Sequence, residues 1–300
     1  MSEFLHRACP ACGATEAREE AHSPVRAETM TVEALRPYWS GLFSEKRFFT
    51  YHRCAACSLL YNPVFFDEAW LGDLYSSMAP NMEMVSNDAI AATQRGYFDA
   101  VADGVLDGGY LEIGPDTGHV VREAAQRGGF DQFWLFEPNR TIHDTLRASA
   151  SGRPATLLTG MDDLSPVPDG SIGLAVMVHV LDHLLDPLPM LVQIRAKLRP
   201  GGTLLIVTHN EKSLLRRLMG VRWPPFCLQH PELYNPATIT ALLARAGYSD
   251  AQVTRSRNHF PLPFLARQAA WTIGLKLDRV PLPEVSQGLR LGNMLTLATG

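Results

Sequence analysis

Two cysteine pairs carry the first chemically legible spacing. Cys9 and Cys12 lie in "CPACG", and Cys54 and Cys57 lie in "RCAACSLLYNP". A C-x2-C turn aims two thiolates at one point, and two such turns complete a tetrahedral zinc shell. The start "MSEFLHRACPAC" has neither the basic opening nor the apolar core of a secretory leader. The expectation is therefore a cytoplasmic chain with reduced thiols, where paired spacing favours metal over disulfide. Free-thiol turns and a redox pair are the alternatives, but a redox C-x-x-C needs no second pair. Four cysteines leave no open coordination position, so the zinc would be structural. Cys227, alone in "WPPFCLQH", is expected to be a small buried hydrophobe.

The second pattern is "YLEIGPDTGHVVREAA", residues 110–125, with the spacing Glu112-x-Gly114-x-Asp116-x-Gly118. A dinucleotide fingerprint would need G-x-G-x-x-G. Counted from Gly114, the second glycine is replaced by Asp116 and the third by His119. An aspartate would repel a pyrophosphate, whereas a ligand with an amino-acid end and no phosphate meets no such objection. Glu137 ends the strand-like "QFWLFEPN". An acid there suits the two hydroxyls of a ribose. The pair of features asks for a nucleoside without a diphosphate, and S-adenosylmethionine satisfies both.

The third pattern is "HVLDH", with His179, Asp182 and His183. Histidine is the usual general base near neutral pH, which makes His179 and His183 the candidate catalytic residues. In the plainer alternative His179 only walls a pocket and His183 braces a helix, and the reaction relies on alignment of the reactants. His209 follows a later strand, and His230 sits in the insertion "RRLMGVRWPPFCLQHPELY", where Arg222, Trp223 and His230 are candidates for substrate contact.

The elements that must position these residues alternate. The stretch from Asn87 has helical spacing, with Ile90, Tyr97, Val101 and Val105 near one face. After it come "GGYLEIG", "QFWLFEPN", "ATLLTG", "SIGLAVMV" and "GGTLLIVTH" as strands, interleaved with helices such as "GHVVREAAQRG" and "LPMLVQIRAKLR". "NPATITALLARAG" reads as a further helix and "DAQVTRSR" as a strand. Such alternation implies an α/β fold with a doubly wound parallel sheet, and a ligand at the C-terminal strand ends. Beyond Gly247, "FLARQAAWTIGLKL" is helical and amphipathic, and the tail is expected to cover the sheet edge and close an acceptor pocket.

Taken together, "LEIGPDTG", "LFEPN", "VPDGSIGLAVMVHVLDHLLDP" and "KLRPGGTLLIVTHN" resemble the class I S-adenosylmethionine-dependent methyltransferases. The branch they resemble is the small-molecule group. The cysteine pairs resemble the zinc-binding module ahead of some methyltransferases of sugars and other metabolites. The resemblance implies a doubly wound Rossmann-like methyltransferase sheet behind a small zinc-ribbon-like module. It implies a module over residues 1–78, with an inserted arm, and a methyltransferase domain over 79–300, with its core at 87–258 and a tail at 259–300. Glu112, Gly114, Pro115, Asp116 and Gly118 would lie under the methionine part of the donor. Glu137 would hold the ribose, Pro138 and Asn139 would flank the adenine, and Asp162 would meet its amino group. Val178 and His179 would lie near the sulfonium and the acceptor. The chain departs from the family's habits at Asp116, where glycine is common, at Met161, where aspartate is common, and at Gly173, where aspartate is usual.

Composition narrows the partner. The chain has 300 residues, a net charge of −4 and 46% hydrophobic residues, which argues for a packed domain. A net acidic chain whose one basic-aromatic run is the short "EKRFFTYHR" argues against nucleic acid as partner, hence against an RNA methyltransferase. No 18-residue apolar run predicts a membrane span. The expected acceptor is a small molecule such as a sugar, sugar nucleotide or secondary metabolite.

Overall fold

Apolar runs dominate the strands because helices cover both faces of the sheet they form. The computed structural model describes residues 4–39, 45–76, 85–104, 106–272, 275, 282–283 and 285–300. Its central sheet contains β1 (Asp107–Ile113), β2 (Gly129–Phe136), β3 (Ala155–Leu158), β4 (Ile172–Val178), β5 (Leu198–His209), β6 (Asp250–Arg255) and β7 (Asn293–Thr299). The strand order is β3-β2-β1-β4-β5-β7-β6. In β4, alternate residues serve opposite cores. Ala175 and Met177 join one with Leu111, Ile113 and Ile206, while Leu174 and Val176 join the other with Tyr110, Phe133 and Val207. That period of two is the strand pleat expressed in packing.

The helices are α1 (Glu68–Ser76), α2 (Asn87–Asp99), α3 (His119–Arg127), α4 (His143–Ser149), α5 (Pro187–Lys197), α6 (Pro236–Arg245) and α7 (Leu262–Thr272). On α2, Tyr97 is buried as the helical spacing requires and Ile90 is half-buried; Val101 is buried beyond the helix end, and Val105 lies outside the described residues. α6 starts with a capping box: the Asn235 side chain accepts from the N–H groups of Ala237 and Thr238, and Thr238 reaches back. The expected amphipathic tail helix is found as α7, and its last residues lie outside the described ones.

The all-parallel expectation needs correction at the C-terminus. β7 runs antiparallel between β5 and β6, with Leu205 opposite Leu297 and Val253 opposite Thr296. Residues 259–300 therefore include a full strand of the central sheet and do not merely cover its edge. The short apolar run in "NMLTLAT", whose Met294, Leu295 and Ala298 are buried, is the sequence signal for it.

The cysteine-bearing segment builds its own small sheet from Ala17–Ala21, Tyr51–Cys54 and Leu60–Tyr61, and a fourth strand, Glu232–Leu233, comes from the far side of β5. Arg7 ties the two parts further, donating to Glu232 at 2.8 Å and to the carbonyl oxygens of Asn62, Leu185 and Pro231. Arg53 does the same by bridging Glu20 and Glu211. Within the expected arm, Val25–Arg26 pairs with Arg47–Phe48, and Trp39 and Phe49 fill a core with Phe65 and Phe66.

Gly173 has a physical reason to lack a side chain. It sits where the register of β4 shifts against β1 and β5, and a Cβ there would overlap the carbonyl oxygen of Asp107. Gly173→Ala should thus destabilise the fold by about 1–3 kcal/mol through forced backbone displacement. Urea unfolding of the two proteins measures it, and an unchanged midpoint would contradict this packing.

Candidate active site

Neighbouring strand ends bring the acidic residues together. β1 and β2 align in register, so that Ile113 faces Phe136, and the next residues, Gly114 and Glu137, start the two loops. The Gly114 N–H donates to the Phe136 carbonyl at 2.9 Å. Gly114, Asp116 and Gly118 all have left-handed φ, at 65°, 48° and 74°. At Gly114 a Cβ would lie 2.7 Å from Val180, and at Gly118 it would lie 2.6 Å from the Ser149 hydroxyl. Glycine is therefore required twice over, by dihedral and by space. Pro115 is buried between them.

Three carboxyl groups converge here without a cation. Glu112 is 1% exposed and accepts from the Tyr110 hydroxyl. Burial pushes its carboxyl up to about 8, with Asp116 and Glu137 adding repulsion. Burial likewise raises Asp116 to about 6 and raises Glu137, which accepts from the Asn139 N–H at 2.9 Å. Among the described residues no lysine or arginine pairs with any of the three. A ligand that brings positive charge would relieve all of them at once.

The remaining donor-side expectations are placed as follows. Pro138 and Asn139 follow Glu137 and are half-buried. Asp162 is exposed, and its loop is pinned from α5 by Gln193, which donates to the Asp162 carbonyl and accepts from the Leu164 N–H. Met161 packs on the core. Val178 ends β4 opposite Val207 of β5, and His179 follows with φ 52°, a conformation uncommon for a side-chain-bearing residue.

The ends of β4 and β5 then gather four imidazoles about one buried carboxylate. Asp182 is 0% exposed. The His209 Nδ1–H donates to its Oδ2 at 2.7 Å. Burial opposes the charge of Asp182, yet this bond and the surrounding rings hold it well below the usual carboxylate range. Burial also lowers His209, so the pair is a carboxylate and a neutral imidazole near pH 7. The His179 ring lies tilted at 4.6 Å from His209, and His230 lies 4.8 Å from His209 and 4.6 Å from His183. Burial and the neighbouring His209 lower His179 to about 3.

The histidines differ in their partners. His183 points its Nδ1 at the Tyr75 hydroxyl, 2.7 Å away, and burial takes it well below its ordinary value, so it braces α1 against the loop. His179 keeps its place at the strand end. His209, outside the "HVLDH" motif, is the imidazole hydrogen-bonded to the buried carboxylate. The clue was available in the position of His209 at the end of β5, beside the end of β4. In the expected lid, Arg222 is exposed, whereas Trp223 and His230 are buried. Cys227 is buried but is more than a hydrophobe: its Sγ lies 3.2 Å from His230 Nδ1, which also meets the Pro225 carbonyl.

The four N-terminal cysteines meet as their spacing requires. Their sulfurs all lie within 4.8 Å of one another, with Cys9–Cys57 and Cys12–Cys54 at 3.5 Å. Tetrahedral zinc thiolates would stand about 3.8 Å apart. The two turns match: Gly13 and Ser58, each just after the second cysteine, have φ 76° and 62° and donate to the Cys9 and Cys54 carbonyls. Against the desolvation that burial imposes, the N–H groups of Cys57 and Ala56 hold Cys54 down to about 7. The four thiols fit a zinc ion. An open cleft of about 470 Å³ lies beside them, lined by Arg7, Pro10, Glu68, Asp186 and Arg245, away from the convergent carboxyls.

Comparison with known proteins completes the description. The sequence model of a family described as "Methyltransferase domain" matches residues 91–253, more than half of the chain. The chain belongs to this methyltransferase family. A curated relative from Mycolicibacterium smegmatis, described as a "probable S-adenosylmethionine-dependent methyltransferase", is 32% identical over 83 residues. That match spans 28% of this methyltransferase-family chain and 31% of the relative, so about a third of the relative's length is covered. A solved S-adenosylmethionine-dependent methyltransferase from Archaeoglobus fulgidus shares the fold at 15% identity and TM-score 0.50, covering 78% of this chain and all of that one. One from Mesorhizobium loti is similar at 16% identity and TM-score 0.47, covering 68% and 97%. Among the described residues no helix is long and apolar enough to cross a membrane.

The raised carboxyls give a pH signature. Glu112 holds its proton in the fold until about pH 8, against 4.5 for its ordinary value. The folded state binds the extra proton in that window, so this group's contribution makes stability fall as pH rises from 4.5 to 8. Glu112→Gln should flatten that part of the stability profile. A cationic ligand should expel roughly one proton at pH 7, seen as a buffer-dependent heat in calorimetry and lost in the variant. A heat independent of buffer would contradict the clustering.

Proposed function

We propose that this chain transfers the methyl group of S-adenosylmethionine to a small-molecule acceptor, such as a sugar, sugar nucleotide or secondary metabolite. One observation carries the reading: a glycine-turned cradle of three uncompensated carboxyls stands beside a buried Asp–His pair on the adjoining strand ends. The cradle suits a donor that is both ammonium and sulfonium. Glu112 and Asp116 lie on the side of the donor's positive charge, and Glu137 at the end of β2 suits the ribose hydroxyls. Asp162, exposed and pinned through its own backbone, is the group available to the adenine edge.

The donor, when bound, supplies an already activated methyl carbon, so the protein chiefly aligns it and excludes water. An acceptor hydroxyl or amine must lose a proton as its lone pair bonds to the methyl carbon. The carbon–sulfur bond breaks, and its electron pair stays on sulfur. The proton falls to the acceptor side, where Asp182 fixes His209 through Nδ1 and leaves Nε2 without a proton. His179 and Trp223, near the same ring, form the wall on which the acceptor would rest.

The four cysteines hold structural zinc in this reading. The metal closes the knuckles whose sheet continues into Glu232–Leu233, so its loss should loosen the acceptor side as well. Chelation with 1,10-phenanthroline, or Cys54→Ser, is expected to remove several kcal/mol of stability and lower the melting temperature. An unshifted melting curve after verified zinc removal would contradict a structural role.

Activity is tested by following S-adenosylhomocysteine formation from labelled donor across a panel of sugar nucleotides and phenolic metabolites. His209→Ala should lower kcat by about 10²–10⁴-fold with donor affinity unchanged. An unaltered kcat would remove His209 from the reaction, and no turnover or donor binding by folded protein would refute the function itself.

A further inference from the structure

Asp182 presents an electrostatic problem that its hydrogen bond to His209 solves only in part. The carboxylate is fully buried, and no lysine or arginine pairs with it among the described residues. Among the described residues its second oxygen, Oδ1, has no partner, and neither has the buried Nδ1 of His179. Burial without a partner is costly for a neutral polar atom and more so for an ionised one. A stable fold that keeps two such atoms facing one cluster is missing a group that satisfies both.

We propose that His179, Asp182 and His209 bind a divalent first-row transition cation, distinct from the structural zinc of the cysteines and placed on the acceptor side. One nitrogen from each imidazole and one carboxylate oxygen lie within 4.8 Å of one another, and ligands about 2.0–2.2 Å from a tetrahedral ion would draw in to about 3.5 Å apart. Two imidazoles and one carboxylate favour zinc, iron, cobalt or nickel over magnesium or calcium, which prefer all-oxygen shells. Three protein ligands leave positions open, the mark of a reactive rather than a structural site. The Asn293 side-chain amide lies 3.2 Å from His179 Nε2, and with its oxygen turned to that atom it would accept the Nε2–H, as outer partners of metal-bound histidines do. β7 supplies Asn293, so the C-terminal strand takes part in building the site.

This inference rests on the acceptor lying beside the same residues, and it narrows the acceptor to one with a hydroxyl oxygen. Such an oxygen would fill an open position, and the cation would lower its pKa as it does for bound water. With the cation in place His209 serves as its ligand and no longer as the base: the O–H proton passes to solvent, the oxygen lone pair bonds to the methyl carbon, and the electron pair of the broken carbon–sulfur bond remains on sulfur. No oxidant or reductant is involved.

The test counts metal in the full chain. Protein loaded with zinc and freed of excess by gel filtration is analysed by mass spectrometry of the metal. The wild type should hold two equivalents, and Asp182→Asn and His209→Gln one each. S-adenosylhomocysteine binding and circular dichroism check that the variants are folded. If they are not, cobalt is titrated into zinc-loaded wild type, where an N/O site gives visible d–d absorption without a thiolate charge-transfer band. One zinc equivalent in the wild type with no such absorption overturns the proposal, as does a second equivalent that persists in both folded variants. Either result leaves Asp182 and His209 as a metal-free pair. Loss of S-adenosylhomocysteine binding in the wild type, with two metals present, would instead count against the donor reading alone.

Discussion

A buried carboxyl group with no lysine or arginine paired to it among the described residues is the constraint that organises this protein. It occurs twice, at Glu112, Asp116 and Glu137 beneath the ends of β1 and β2, and at Asp182 beyond the end of β4. Ion pairs are not scarce elsewhere: Arg7 answers Glu232, and Arg53 answers Glu20 and Glu211. Desolvating a carboxylate costs several kcal/mol unless something compensates it. Leaving it uncompensated at two adjoining places is a cost to stability that function can explain. The first group takes up protons in the free protein, and the second recruits an imidazole.

The sheet order sets both groups side by side. β1 lies between β2 and β4, and β4 between β1 and β5, so four parallel strands end along one edge. Loops leaving that edge carry the carboxyl cradle on one side and the histidines on the other. Parallel strands with buried faces hold these ends in fixed register, which allows short loops such as Gly114–Gly118 to adopt left-handed turns. The cysteine module reinforces the histidine side, because Tyr51 in its sheet donates to the His230 carbonyl at 2.6 Å. The zinc knuckles and the acceptor wall are in this sense one assembly, continuous through Glu232–Leu233.

Much of this was legible in the sequence, for identifiable reasons. The apolar runs of β1, β2, β4 and β5 and the glycines at 114 and 118 are local signals, and each local signal agrees with the global fold. The paired cysteines carry their geometry in their spacing. What escaped was non-local. β7 is a seven-residue strand with a short apolar run in a tail rich in proline, and its insertion between β5 and β6 depends on strand neighbours remote in sequence. The Asp182–His209 pair joins residues 27 apart that only the adjacency of β4 and β5 brings together. His183, favoured by its place beside Asp182, was taken up instead by Tyr75. Gly173 shows the opposite case, a departure from family habit whose cause is a single carbonyl on the neighbouring strand.

The central claim is that the carboxyl cradle selects a positively charged nucleoside. Titration calorimetry with S-adenosylmethionine, S-adenosylhomocysteine and 5′-methylthioadenosine tests it most directly, because the last has the same nucleoside but neither the ammonium nor the sulfonium. The account predicts that the first two bind and that 5′-methylthioadenosine binds at least about tenfold more weakly, the equivalent of 1.4 kcal/mol. Equal affinity for all three would contradict it, since the buried carboxyls would then contribute nothing to recognition of the donor.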